Sequence, residues 1–210
     1  MAATPRNSTR RARTIALVAL IAVAWLVLDQ ATKAFVEGAY AVGDHIAGPY
    51  LGLVQFVLVH NTGMAWGLLG DSTFLLGVLS VLVVAVLAVY LAWEGDRANR
   101  LEAIGGALVI GGGLGNAIDR FTLGYVVDFI DAAFIDFPVF NVADIGVTCG
   151  FMLFIIGFFL HERALEQENA SRVAADEGVG AEPIAAEGQP GPLDDAAPSG
   201  DGPEGTVADR

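Results

Sequence analysis

The chain has 210 residues, 54% of them hydrophobic and only 17% charged, with a mean hydropathy of +0.57. Such a composition excludes an ordinary soluble domain, and the length suits about one domain. The net charge of −13 does not signal a nucleic-acid or basic partner, because residues 164–210 hold eleven acidic residues against Arg172 and Arg210 and so supply −9 of it.

Taken in chain order, residues 1–13 form a basic N-terminus with Arg6, Arg10, Arg11 and Arg13. An apolar block over Ile15–Val36 follows, then others over Ser72–Trp93, Leu101–Ile118 and Val139–Leu160. About 20 apolar residues at ~1.5 Å rise cross the hydrocarbon core, so each block predicts a membrane span. The first begins like a secretory signal. Its apolar run is longer than an h-region of ~7–15 residues and no small-residue cleavage site follows cleanly, so it reads as a retained span. Residues 14–163 are therefore expected to form an α-helical, four-span integral membrane domain.

Between the spans, Glu37–Asp71 carries the valine- and leucine-rich stretch Leu53–Val59 among Gly43, Gly48, Pro49 and Gly52, which predicts short strands. Asp119–Pro138 predicts a short amphipathic stretch between Gly124 and Pro138. Together they suggest a small β-rich platform on the bundle. Arg97 and Arg100 lie between the second and third spans, and Arg163 follows the fourth. Counting basic residues then places both termini in the cytoplasm and the platform outside. Residues 164–210, acidic, proline-rich and poor in large apolar groups, read as a disordered cytoplasmic tail.

Polar residues interrupt the apolar blocks: Asp29, Gln30, Lys33, Asn116, Asn141 and Asp144. A charge at the bilayer centre costs at least ~2.5–3.5 kcal/mol, so such groups usually pair or serve function. The alternating span directions bring all six toward one side, where Asn61, Asp119, Arg120 and Asp128 of the connections join them. Asp29 and Lys33, four apart, share a helix face and could be a structural ion pair or also touch a ligand. Gly111, Gly112, Gly113 and Gly115 fail as a dinucleotide fingerprint, since Asn116 stands at its last position, and suit close helix packing instead.

Two aspartates lack a cation near them in sequence, Asp128 and Asp144. Asp29 has Lys33, and Asp119 has Arg120. Two carboxylates in a poorly hydrated site share a proton, so one can activate water while the other donates to a carbonyl oxygen. Whether these two meet is not decided by sequence. The lone Cys149 lies in an apolar block and reads as a packed side chain. His45, His60 and His161 have no ligand spacing, so neither a metal nor a cofactor is expected. An ion-coupled transporter would place its carboxylates nearer the midplane and often shows an inverted repeat, which is not visible here. A purely structural role for the polar residues would leave the unpaired aspartates unexplained.

Five motifs occur in order: Asp29-Gln30-Ala31-Thr32-Lys33, Asn61-Thr62-Gly63-Met64-Ala65-Trp66-Gly67, Gly112-Gly113-Leu114-Gly115-Asn116-Ala117-Ile118-Asp119-Arg120, Val126-Val127-Asp128-Phe129 and Phe140-Asn141-Val142-Ala143-Asp144. Over roughly Arg10–Arg163 the chain resembles lipoprotein signal peptidase (signal peptidase II). The resemblance implies an intramembrane aspartic protease that needs no metal or cofactor, and a monomer is expected. Its substrate would be a prolipoprotein whose lipobox cysteine carries diacylglycerol, cut on the amino side of that cysteine at the outer face of the bacterial cytoplasmic membrane. By motif match Asp128 and Asp144 would be the catalytic pair, with Asp29, Lys33, Asn61, Asn116, Asp119, Arg120 and Asn141 supporting it or contacting substrate. Ile145 stands where the family often has Ser or Thr, which removes a hydroxyl beside the last aspartate.

Overall fold

The computed structural model describes residues 7–63 and 72–179. The described residues form four helices: α1 (Ser8–Ala39), α2 (Thr73–Glu94), α3 (Arg100–Thr122) and α4 (Val142–Val179). Each is long and apolar enough to cross a membrane. The apolar faces that water would punish are exposed, as at Leu20 (68%) and Val86 (71%), which is what helices surrounded by lipid require. α3 is the central helix: 61% of its span is buried, against 17–22% for the others. Its polar residues therefore face protein rather than lipid.

Local chemistry sets the helix ends. Asn7 caps α1 by accepting the Arg10 N–H at 3.0 Å. At α3 the Asn99 side chain accepts the Glu102 N–H at 3.0 Å and the Glu102 carboxylate accepts the Asn99 N–H at 2.8 Å, a reciprocal capping box. α4 begins at Val142, three residues after the apolar block does, because Pro138 and the capping residue Asn141 hold the preceding chain extended. The described part of the segment expected to be disordered from Ala164 onward is drawn as a continuation of α4. α4 continues to Val179, and residues 164–174 are all solvent-exposed. Ala, Leu, Glu and Gln between Ala164 and Gln167 are strong helix formers, and extending an existing helix needs no new nucleus. Residues 180–210 lie outside the described residues.

Three strands form one antiparallel sheet in the order β1 (His45–Tyr50), β2 (Val54–Asn61), β3 (Val126–Ala132). The strand expected around Leu53–Val59 is β2. β3 occupies the connection read as a short amphipathic stretch, and it pairs Asp128 with Val59 and Val126 with Asn61. Val36, Leu58, Val127 and Phe129 form the core beneath this sheet, fastening it to the end of α1. A second core, including Val18, Ala22, Val84, Leu91 and Ala107, joins α1, α2 and α3.

The α3 glycines allow close approach of neighbouring helices. A Cβ on Gly112 would collide with the Ala143 carbonyl oxygen of α4, whereas one on Gly113 would meet only the Val84 Cγ2 methyl, at 2.7 Å. Backbone cannot turn aside and a methyl can. Gly112→Ala is therefore expected to cost about 1–3 kcal/mol of overpacking, visible as a lower unfolding temperature in detergent, with Gly113→Ala much milder. Equal losses would show that α3 and α4 are not held at this spacing.

Candidate active site

The site is built outward from Lys33, which is 3% exposed on α1. Its ammonium group lies 2.9 Å from Asp29 Oδ2 and 3.0 Å from Asp119 Oδ2, and donates to Asn116 Oδ1 at 2.9 Å. Those partners use all three of its protons. The spacing on α1 makes the Asp29–Lys33 pair, and α3 supplies the other two partners because it packs against α1 at its glycines. Gln30 closes the cluster by donating to Asp119 Oδ1 at 2.9 Å and to the Gly115 carbonyl at 3.3 Å.

Both buried aspartates also hold backbone. Asp29 Oδ1 accepts the Ala143 N–H at 2.9 Å, taking up a free donor in the first turn of α4. Asp119 Oδ2 accepts the Val127 N–H at 3.2 Å, next to Asp128 on β3. One ion cluster thus anchors the two segments that carry Asp128 and Asp144.

Asn141 joins those two residues directly. Its side-chain oxygen accepts the Asp144 N–H at 3.0 Å, and Asp144 Oδ2 accepts the Asn141 N–H at 3.1 Å. This capping box at the start of α4 fixes the Asp144 side chain. Asn141 Nδ2 donates to Asp128 Oδ1 at 2.6 Å and to Asn116 Oδ1 at 3.0 Å. Asn116 in turn donates to Asp144 Oδ1 at 2.7 Å. The approach is set by a β-bridge between Ile130 and Phe140, with N–H···O bonds of 2.9 and 2.8 Å in both directions, which lays the entry to α4 along β3.

Asp128 is 2% exposed, and Asn61 Nδ2 donates to its Oδ2 at 2.8 Å. Asn61 is itself oriented by accepting the Gly63 N–H at 3.0 Å. Burial first, and the negative charge of Asp144 second, push the Asp128 carboxyl up from 3.8 to about 7, against the lowering effect of the Asn61 and Asn141 donors. A cavity of about 410 Å³ opens onto Asp128, Asp144, Asn61 and Arg120, with Phe137, Phe140 and Ile145 as part of its apolar wall. Arg120 donates to the Asn116 carbonyl at 3.2 Å through Nη1, while its buried Nε has no partner among the described residues. The arrangement offers two carboxylates, an unused guanidinium donor and an apolar wall around one space.

All nine candidate residues fall in this one region. Asp29, Lys33 and Asp119 lie behind the cavity rather than on it, and Asn116 and Asn141 separate the two layers. The Asp29–Lys33 pair does not line this cavity, although Lys33, with Gln30 and Asp119, borders another of about 390 Å³. Gln30 was visible as a polar residue in an apolar block, but its bridging role depends on α3 and had no local sign. Met64 to Gly67 of the second motif lie outside the described residues. Ile145 lines the cavity, so the position without a hydroxyl is part of its apolar wall. Cys149 is not packed inside: it is exposed on α4 and also borders the cavity, because an apolar block in a membrane turns one face to lipid. Among the described residues, no group of three or more His, Cys, Asp or Glu is placed to hold a metal ion.

A family model described as "Signal peptidase (SPase) II" matches residues 21–160. A lipoprotein signal peptidase of Caulobacter vibrioides is 44% identical over 147 residues, covering 68% of this chain and 86% of that protein. One from Nostoc punctiforme is 42% identical over 133 residues, covering 63% and 82%. A solved structure described as a bacterial membrane enzyme superposes with a TM-score of 0.62 at 33% identity, covering 68% of this chain and 87% of its own. With four candidate spans, the five motifs on one polar cluster and relatives at this identity over most of their length, the chain belongs to the signal peptidase II family, membrane proteases that remove signal peptides from prolipoproteins.

Proposed function

We propose that Asp128 and Asp144 are the catalytic pair and that they act on a prolipoprotein whose lipobox cysteine carries diacylglycerol. The observation that carries this is Asn141, which bonds one carboxylate with its side chain and the other with its backbone while both border one cavity. The buried Asp128 holds the shared proton, and the ionised Asp144 takes a proton from water. The water oxygen then bonds to the scissile carbonyl carbon as Asp128 protonates the carbonyl oxygen. Collapse breaks the C–N bond, returns the carbonyl proton to Asp128 and passes the proton on Asp144 to the leaving amine. Arg120 lines the cavity and can turn its guanidinium to a substrate carbonyl, and Asn61, Asn116 and Asn141 hold the carboxylates in place. Asp29, Lys33 and Asp119 support from behind.

The apolar wall at Phe137, Phe140 and Ile145 suits acyl chains, each buried methylene adding ~0.8 kcal/mol. The basic residues before α1 and between α2 and α3 support cytoplasmic termini and a site at the outer face of the bacterial membrane. The enzyme works as a monomer with no metal or cofactor.

The test is cleavage of a diacylglyceryl-modified lipobox peptide by purified protein, beside the same peptide with an unmodified cysteine. Only the lipidated peptide should be cut, on the amino side of the cysteine. The pH profile should fall on its alkaline side through about 7, because Asp128 keeps its proton below that value and loses it above. The same raised value means that the folded chain binds a proton the unfolded chain has lost between 3.8 and about 7, so folding stability also declines across that window. Equal cleavage of both peptides would refute the lipid reading. A rate flat to pH 9 would refute the protonated Asp128.

A further inference from the structure

At the other end of the bundle from the dyad lies a second cavity, of about 400 Å³, between the start of α1 and the start of α3. Arg10 and Arg13 enter it from α1 and Arg100 from α3, with Leu17 and Ala103 as its apolar part. None of the three arginines has an ion-pair partner among the described residues. Of the nearby acids, Glu94 pairs with Arg97 at 3.4 Å, Glu102 accepts from Asn99 and contacts His161 at 3.1 Å, and Asp96 is buried with its Oδ1 unpartnered among the described residues, so none of them reaches the three arginines. Three like charges drawn to one cleft repel each other unless an anion joins them. The capping box at Asn99 satisfies the Glu102 N–H but leaves the first two N–H groups of α3, on Arg100 and Leu101, without an acceptor among the described residues.

The depth of the cleft decides what kind of anion it meets. Arg13 and Arg100 stand just before the apolar stretches that begin at Ile15 and Leu101, which is headgroup level for a helix entering the bilayer. Guanidinium groups suit phosphate oxygens, helix N-termini add N–H donors, and the apolar part suits the glycerol and first methylenes of a lipid. The geometry points to a binding site in this cleft for the phosphate headgroup of an anionic phospholipid, clamping α1 to α3. This site is separate from the dyad and does not rest on the proposed chemistry.

The full chain is placed in nanodiscs of phosphatidylcholine alone or with phosphatidylglycerol, and its unfolding temperature and retained lipid are measured, the latter by native mass spectrometry. Phosphatidylglycerol should raise the unfolding temperature of the natural chain. Arg100→Gln, and Arg10→Gln with Arg13→Gln, should lose most of that rise and retain phosphatidylglycerol about tenfold less well, as expected for losing basic contacts at the membrane surface. Arg97→Gln removes the same charge three residues from Arg100 but outside the cleft, and should keep the full effect. All variants should match the natural chain in phosphatidylcholine alone, since these side chains are exposed. Loss of the effect in Arg97→Gln would overturn the site in favour of a diffuse surface field. An undiminished effect in the cleft variants would overturn it outright. Inorganic phosphate reproducing the rise in phosphatidylcholine discs would overturn the lipid assignment in favour of a free-phosphate site.

Discussion

Asp128→Asn and Asp144→Asn are each expected to lower kcat/KM on the diacylated peptide by on the order of 10⁴-fold or more, as for other catalytic groups acting as a unit. The double variant should be scarcely worse than either single one. An amide can neither take the proton from water nor hold one for the carbonyl. The hydrogen bonds sharpen the expectation, because both Asp128 oxygens accept from amide groups, Asn141 at 2.6 Å and Asn61 at 2.8 Å. An asparagine at 128 turns one of its own N–H groups toward a donor. Thermal unfolding in detergent must accompany the rates to show that the four helices remain assembled. Asp131→Asn and Asp136→Asn are the controls: Asp131 is engaged by Gln55 on the far part of the sheet and Asp136 is exposed, so both should keep near-normal rates. Substantial activity in either dyad variant, with Asp119→Asn folded yet inactive, would move the chemistry to another pair.

Lys33→Met should cause the largest loss of stability from a single change. It leaves Asp29 and Asp119 buried, at 0% and 3% exposure, with no cation between them, and removes a donor from Asn116. Removing one partner of a buried ion pair typically costs about 3–5 kcal/mol. The same methionine combined with Asp29→Asn should recover part of that loss, because one stranded charge is then gone. Both are read by thermal unfolding in detergent. Activity should fall with stability, since Asp29 and Asp119 hold the Ala143 and Val127 N–H groups beside the two dyad residues. A Lys33→Met loss within ~1 kcal/mol, the range of an exposed pair, would show that water reaches this cluster.

Much of this protein was legible from its residues alone. Block lengths and hydropathy determine four spans, since a bilayer admits helices of about that length and little else. The alternation of span directions brings Asp29, Lys33, Asn116, Asn141 and Asp144 to one level, and the expense of charge in lipid marks that level as the site. The Asn141-to-Asp144 spacing is a local signature of a helix start, so the orientation of Asp144 was also encoded nearby in sequence. Helix propensity between Ala164 and Gln167 favours the continuation of α4 beyond the apolar block, against the acidic composition of the tail.

Tertiary structure alone decided the rest. That Val126–Ala132 is a strand depends on β2 offering a free edge, and its alternation is blurred because Val126, Val127, Asp128 and Phe129 are all buried. That Asp29 accepts from the first turn of α4 joins residues 114 apart in sequence, and no spacing rule reaches so far. The meeting of Asp128 and Asp144 needs three contacts at once: the Ile130–Phe140 bridge, the α3–α4 approach at Gly112, and the Lys33 cluster that holds both backbones. Sequence determines which groups lipid will not accept. Where they find one another is decided by packing, because each buried polar group must be satisfied by whichever partner the neighbouring helix brings within about 3 Å.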